Sequence, residues 1–372
     1  MKFMRISEIH IYRHDLPVVG GVFRTSQTSM TSYDTTIIEM VTENGLVGYG
    51  ETCPHGTVYQ PHHAAGARAA LHDIAPHLVG LNALGIDCVR DAMDKALAGH
   101  RYAKAAVDIA LWDLSGKFYG ARVCDLLGGA KQETVPSYFS IGVTEPEAAA
   151  SIAREKQAEG YRRLQLKVGG RDTGIDIEGI RKVHETLKPG VRLAVDVNRG
   201  WTTRDAVMVS QACRDLPFTI EQPCDTVEEI ASLRGRVSHA IFLDESTEGL
   251  GAVLHAVGQR MCDGFSLKVT RLGGISTMRT IRDVCRTANL PMTCDDAWGG
   301  DIIAAACTHI GATVSPRLLE GVWLAAPYID RHYDPKNGIR IERGHIRVPG
   351  GPGLGVQPDS TIWGPPVASF GG

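Results

Sequence analysis

From about residue 135 onward, short apolar runs alternate with longer amphipathic stretches, and five of the runs end on a charged residue. Arg163-Leu164-Gln165-Leu166 leads into Lys167, Leu193-Ala194-Val195 into Asp196, Phe218-Thr219-Ile220 into Glu221, Ile241-Phe242-Leu243 into Asp244, and Phe265-Ser266-Leu267 into Lys268. The intervals between these residues are 29, 25, 23 and 24, the length of one strand, one helix and two short loops in a parallel sheet. The pattern predicts successive β/α units, with later strands near 291–295 and 317–323. The helix after Asp196 is expected to open on Thr202, with Asp205 as its early acid.

The first third has a different rhythm. Alternating runs at 6–11, 34–41 and 46–51, the last two joined across Asn44-Gly45, predict an antiparallel three-stranded meander. Two polar connections, near 17–27 and 52–60, are too long for tight turns and are expected to act as lids over another domain's cavity. Residues 60–130 are rich in Ala and Leu at helical spacing and predict a helical bundle. The closing stretch, 338–372, carries repeated Pro-Gly steps and is expected to pack back on the N-terminal sheet. The chain therefore divides into an α+β capping domain (1–130), a β/α barrel (131–337) and a C-terminal segment (338–372).

Composition narrows the function classes. With 372 residues, 43% of them hydrophobic, the chain can bury a large core, and a net charge of −3 leaves no basic face for nucleic acid or acidic lipid. Small molecules and copies of itself are the expected partners. The N-terminus breaks its apolar residues with charge too early for a signal peptide, and no run approaches bilayer length, so a cytoplasmic protein is expected. Nine scattered cysteines without a Cys-x-x-Cys pair indicate neither a disulfide framework nor a zinc cluster. Cys294, beside Asp295 and Asp296, is placed to line the mouth. The histidines, including His62-His63, lack a partner carboxylate at ligand spacing and read as structural. Gly20-Gly21 and Gly169-Gly170 read as loop hinges rather than a nucleotide site.

In a closed β/α barrel the carboxyl ends of all strands meet at one mouth, so the five polar residues would converge on one cavity. Asp196, Glu221 and Asp244 supply three oxygens for Mg²⁺, leaving the remaining positions to water and a substrate carboxylate, and such an ion stabilises the extra charge of an enediolate. Single acids at strand ends often cap helices or pair with arginines. Three at successive strand ends, bracketed by two lysines, point instead to a metal site. Lys167 and Lys268 belong to strands on opposite sides of the barrel. A lysine acting as base must be neutral near pH 7, and burial or a nearby cation moves its pKa that way. Two opposed bases would invert a stereocentre; one would suit elimination or cycloisomerisation.

The segments that carry these residues resemble a known family. The 103–114 stretch, Ala-Lys-Ala-Ala-Val-Asp-Ile-Ala-Leu-Trp-Asp-Leu, the Asp196-Val197-Asn198-Arg199-Gly200-Trp201 turn, Glu221-Gln222-Pro223 and Lys268-Val269-Thr270-Arg271-Leu272-Gly273-Gly274 are similar to the signatures of the mandelate racemase and muconate lactonizing enzyme group of the enolase superfamily. The resemblance implies an N-terminal α+β capping domain, a modified TIM barrel of (β/α)₇β type, one Mg²⁺ per subunit, Lys167 and Lys268 as acid/base pair, loops of the 20s and 50s closing over substrate, and symmetric homo-oligomers.

One departure stands out: where the family pattern is usually Lys-x-Lys, this chain has Gln165-Leu166-Lys167. A glutamine donates hydrogen bonds but brings no charge, so activation of Lys167 would rest on the metal or on a cation carried by the substrate. Tyr59 in the second lid and Trp323 after the last strand could hold such a cation by cation–π attraction. With Gln165 and the block Thr293-Cys294-Asp295-Asp296-Ala297-Trp298-Gly299-Gly300-Asp301, the chain resembles the hydroxyproline betaine 2-epimerases of this group. The same neighbourhood includes cis-3-hydroxy-L-proline dehydratases, and other epimerases or cycloisomerases of the superfamily are further alternatives. Asp295 or Asp296 could accept a hydrogen bond from a substrate hydroxyl, balance an ammonium or orient Lys268, and Glu245 could do the last; Asp295 is the one expected to bind substrate, with Asn198, Glu245 and Asp296 behind it. A protein that kept the fold only to bind or to scaffold is the alternative of another class, and metal binding at the three acids would argue against it.

Overall fold

The computed structural model describes residues 3–372. Ile6–Pro17, Ser32–Thr42 and Val47–Thr52 pair antiparallel, and Ala368–Gly371 adds to the free edge of the first strand. The sheet thus has four strands where three were expected, because its last member comes from the far end of the chain. The first two strands also outrun their apolar stretches. Arg13 and Asp15 are exposed, yet backbone pairing continues through Asp15↔Asp34 to Pro17↔Ser32.

Ile9, Ile11, Ile38 and Met40 bury one face of this sheet against the helices Ala64–Ile74, Ile86–Ala96 and Arg101–Tyr119. The last of these is buried on nearly every side because it lies between the N-terminal sheet and the barrel. It approaches the sheet where there are no side chains: a Cβ on Gly50 would fall 1.7 Å from the Ala106 carbonyl oxygen. Toward the barrel, Trp112 Nε1 donates to Ser276 Oγ (2.9 Å), and Asp108 accepts from the Ser276 amide (3.0 Å) at the start of the helix Ile275–Ala288.

Eight strands form the second sheet, all in parallel pairs: Phe139–Ile141, Arg163–Lys167, Arg192–Asp196, Thr219–Glu221, Ala240–Leu243, Gly264–Lys268, Met292–Asp295 and Leu319–Gly321. A bridge between Ser137 and Val322, with Ser137 Oγ donating to the Val322 carbonyl (2.8 Å), joins the two ends and closes the barrel. The helix after Asp196 begins at Thr202, where Thr202 and Asp205 cap each other's backbone amides. Cys294 does not reach the mouth. Along Met292–Asp295 successive side chains alternate, so Cys294 packs outward near Gly311 while Thr293 and Asp295 point inward. His63 accepts from the Gly66 amide at a helix start, and His62 packs on Tyr102.

The closing segment reaches both domains rather than the first alone. Its hairpin Ile341–Glu342/His345–Arg347 pairs with Thr134–Pro136, while Leu354 donates its amide to Asp113 and Ala368–Gly371 joins the N-terminal sheet. No helix among the described residues is long and apolar enough to cross a membrane.

Candidate active site

Strand register assembles the site. Lys167, Asp196 and Glu221 are aligned Cα partners on three adjacent strands, Asp244 follows the next strand directly, and Lys268 is level with Asp295. One carboxylate oxygen from each of Asp196, Glu221 and Asp244 lies within 4.8 Å of the others, and all three residues are buried. A cavity opens above them, lined by both lysines, Gln165, Asn198, Asp295 and an aromatic wall that includes Tyr59, Tyr138, Trp298 and Trp323.

Both lysines are tied into the acids. Lys167 donates to Asp196 and, at 2.9 Å, to Asn198 Oδ1. Lys268 donates to both oxygens of Asp244, each at 2.8 Å. Asp244 is the most heavily bonded ligand, since Arg271 Nη1 (2.7 Å) and the Tyr59 hydroxyl (2.7 Å) also reach it. Burial would raise its pKa, but Arg271 and Lys268 overcome that and hold the carboxyl well below the usual range. The same balance acts in reverse on Lys268: burial works against its charge, but Asp244 prevails and its pKa rises.

Glu221 is opposite in character. Burial, reinforced by Asp196 and Asp244, pushes it up to about 8. Its Oε2 accepts from Gln165 Nε2 (2.9 Å), and Oε1 has no partner. Crowded carboxylates repel one another strongly at low dielectric, and an unpartnered buried carboxylate oxygen is costly. A hard divalent cation with oxygen ligands relieves both, so this donor set fits Mg²⁺.

The residues behind the ligands sort differently from expectation. Asp244, not Asp295, Asp296 or Glu245, is bonded to the Lys268 ammonium. Glu245 accepts from Asn198 Nδ2 (3.1 Å), and burial together with Asp244 and Asp196 pushes it up to about 8. Asp296 is consumed by backbone and hydroxyl donors: the Thr270 amide (2.7 Å), Thr270 Oγ1 (2.8 Å) and the Ala297 amide (2.7 Å). Asp295 faces the cavity but accepts from the Tyr138 hydroxyl (2.8 Å), the Trp323 amide (2.6 Å) and Thr293. Gln165 points its amide at Glu221. Trp323 packs against Trp298 and Tyr328, with ring centroids 5.6 Å apart in each case. The Tyr59 ring already has a cation near its face, the Lys268 ammonium 5.9 Å from its centroid.

Several site residues escaped sequence reasoning. His55 lines the cavity and stays neutral, since burial, with Lys167 and Lys268 nearby, lowers its pKa to about 3. Arg271 sits within a motif already singled out, where its spacing from Lys268 was an available signal. Tyr138 and the buried Arg163, whose guanidinium stacks 4.1 Å from the Tyr138 ring, carry no motif at all.

A family model described as the mandelate racemase/muconate lactonizing enzyme N-terminal domain matches residues 9–128, and one described as enolase C-terminal domain-like matches 147–362. The chain belongs to the mandelate racemase/muconate lactonizing enzyme family of the enolase superfamily. It is an enzyme, and its relatives in the family include isomerases and a dehydratase. It is 36% identical to a cis-3-hydroxy-L-proline dehydratase of Roseibium aggregatum, over 99% of this chain and all of that protein. A hydrophobic dipeptide epimerase of Enterococcus faecalis is 32% identical over 77% of this chain and 81% of its own length. A crystal structure of an enolase superfamily member from Roseovarius nubinhibens, complexed with magnesium, superposes with a TM-score of 0.94 at 34% identity, covering 99% of this chain and all of that one. That magnesium complex and the triad geometry agree in supporting a magnesium site at Asp196, Glu221 and Asp244.

Proposed function

We propose that the protein is a Mg²⁺-dependent epimerase that inverts C2 of a proline-type carboxylate, with an N,N-dimethylated ring such as 4-hydroxyproline betaine or proline betaine as its substrate. The observation that carries this reading is the placement of two lysines, on strands separated by three others, in one cavity around the acidic triad. Asp196, Glu221 and Asp244 would hold one Mg²⁺ per subunit. When bound, the ion supplies positive charge against the negative charge that develops on the substrate carboxylate and weakens the lysines' hold on their protons.

The chain's own groups do the rest. One lysine, neutral, takes the C2 proton onto Nζ; the other, as ammonium, returns a proton to the opposite face. Each ends in the other's starting protonation state, so the pair is set for the reverse reaction and exchanges with solvent between turnovers. The aromatic wall suits a quaternary ammonium, which has no N–H to donate and gains from ring faces. Trp323 and Tyr59 supply such faces, and Asp295 supplies the balancing charge.

The full-length 36% relative favours a second reading, dehydration of cis-3-hydroxy-L-proline. Its first step is the same proton abstraction; the opposite ammonium would then protonate the departing C3 hydroxyl, which leaves as water. Incubating the protein with Mg²⁺ in D₂O and following the C2 proton by NMR separates the two. Epimerisation predicts exchange from both L and D betaines with every hydroxyl retained. Exchange from one hand alone, with loss of hydroxyl from cis-3-hydroxy-L-proline, would replace the first reading by the second.

A further inference from the structure

We infer that Arg199 is a positioning residue that clamps both N-terminal loops, 17–27 and 52–60, shut over the cavity and links their closure to Lys167 through Asn198. This rests on the cavity being the reaction site, and not on which substrate it takes. Arg199 Nη2 donates to Gln27 Oε1 (2.9 Å) in the first loop and to the Tyr59 carbonyl (2.8 Å) in the second, with the Val58 carbonyl at 3.2 Å. One nitrogen therefore holds two segments that are far apart in sequence. Its two N–H bonds account for both short contacts.

The turn that presents Arg199 is built for this. Asn198 (φ +45°) and Arg199 (φ +67°) are consecutive non-glycine residues in the left-handed region, a conformation that persists only where surrounding contacts impose it. It directs the Asn198 carboxamide inward, to Lys167 and Glu245, and its carbonyl outward, where Gln27 Nε2 (2.9 Å) and Ser26 Oγ (3.2 Å) both donate to it. The same residue that orients the lysine is thus held by the first loop. The second loop is anchored twice more, by the Tyr59 hydroxyl on Asp244 and by Gln60 Nε2 on the Glu245 carbonyl (3.1 Å).

The seat of the first loop is shaped by missing side chains. A Cβ on Gly170 would lie 2.6 Å from the Ser26 carbonyl oxygen, and one on Gly200 would lie 3.0 Å from Ser26 Cβ. Gly170 (φ +72°) is better understood as a site of close approach than as a hinge.

Hydrogen–deuterium exchange on the full chain with saturating Mg²⁺ tests the clamp without requiring a known substrate. Arg199→Ala should speed amide exchange in both loops by about tenfold, the factor expected for loss of a charge-assisted hydrogen bond, while Mg²⁺ affinity by calorimetry stays within about threefold. Gln27→Ala, an exposed position, should loosen the loops to a lesser degree. The double variant should be looser than Arg199→Ala but fall short of the product of the two single effects, because the bond between the two residues is lost only once while Gln27 also gives up its own bond to the Asn198 carbonyl. On any substrate found to exchange its C2 proton, the loss should fall mainly on KM. Loops that exchange at the wild-type rate in both single variants, or effects of the two substitutions that multiply, would overturn the clamp. Absence of C2 exchange with every proline derivative would count against the proposed reaction and leave the exchange measurement to decide the clamp.

Discussion

Asn198 stands between a lysine and a buried acid: its Oδ1 accepts from Lys167 at 2.9 Å while its Nδ2 donates to Glu245 Oε1 at 3.1 Å. One carboxamide thus fixes the lysine amine and satisfies one oxygen of a carboxyl that burial has raised to about 8. Asn198→Asp replaces the donor by a second carboxylate oxygen facing Glu245. The turnover number should fall by roughly 10- to 100-fold, as for loss of an outer partner in a metal site, with the protein still folded by circular dichroism. A rate near wild type would show that Lys167 is oriented without this amide.

Magnesium should stabilise the fold. The unpartnered Glu221 Oε1 and three crowded carboxylates cost free energy until a cation binds, so thermal melts in MgCl₂ should lie above those in chelator. At a hundredfold excess over Kd the gain is about 2.7 kcal/mol. Glu221→Gln should abolish the increment while leaving the chelator melt close to wild type or higher, because it removes one of the crowded charges. An undiminished Mg²⁺ shift in that variant would move the ion elsewhere.

Trp323 offers a direct test of substrate charge. Its backbone amide bonds to Asp295 whatever the side chain, so Trp323→Leu removes the aromatic face and keeps that contact. For a betaine, kcat/KM should drop by about 2- to 30-fold, the range of a cation–π contribution, and Trp323→Phe should recover part of the loss. Equal losses on betaine and on a secondary-amine proline derivative would remove cation–π binding from the account.

Glu51 ties the N-terminal sheet to the barrel. It accepts from Thr35 Oγ1 (2.8 Å) and Tyr333 OH (2.8 Å), and from the Gly300 (2.8 Å) and Ile303 (3.2 Å) amides at the start of the helix Asp301–Thr313. Burial nevertheless outweighs these four donors and raises its pKa from 4.5 to about 7. Between those values the native state holds the proton more tightly than the unfolded chain, so this group's contribution is greatest below pH 4.5 and is lost as pH rises to about 7. Urea unfolding of wild type and Glu51→Gln across that window should show the variant less stable by about 1–3 kcal/mol, since an NH₂ now faces donors. The gap should be widest at low pH and narrow toward neutrality; a gap independent of pH would mean that Glu51 is ionised throughout.

Much of the chemistry was legible in the sequence because β/α units have a regular length and strands alternate with period two. Lys167, Asp196, Glu221, Asp244 and Lys268 could be placed at one mouth from spacing alone, since parallel register carries each strand's last residue to the same level. Legibility failed where partners are remote and carry no period. Ala368–Gly371 joins Ile6–Pro17 across nearly the whole chain, and Tyr138 reaches Asp295 from a segment with no motif. Asp295 and Asp296, adjacent and chemically identical, both line the cavity but have separate partners, because Asp295 ends its strand beside Tyr138 and the Trp323 amide while Asp296, past the strand end, meets the Thr270 and Ala297 amides.

The amino-acid order by itself determined the barrel, its family and the acids and lysines at its rim, because those follow from local periodicity repeated at constant intervals. Only the tertiary structure decided which acid each lysine meets, that Gln165 serves Glu221, and that Arg199 gathers two distant loops. Such contacts depend on loop paths and side-chain directions at a domain junction, where hydrogen-bond geometry discriminates to tenths of an ångström and sequence separation carries no information.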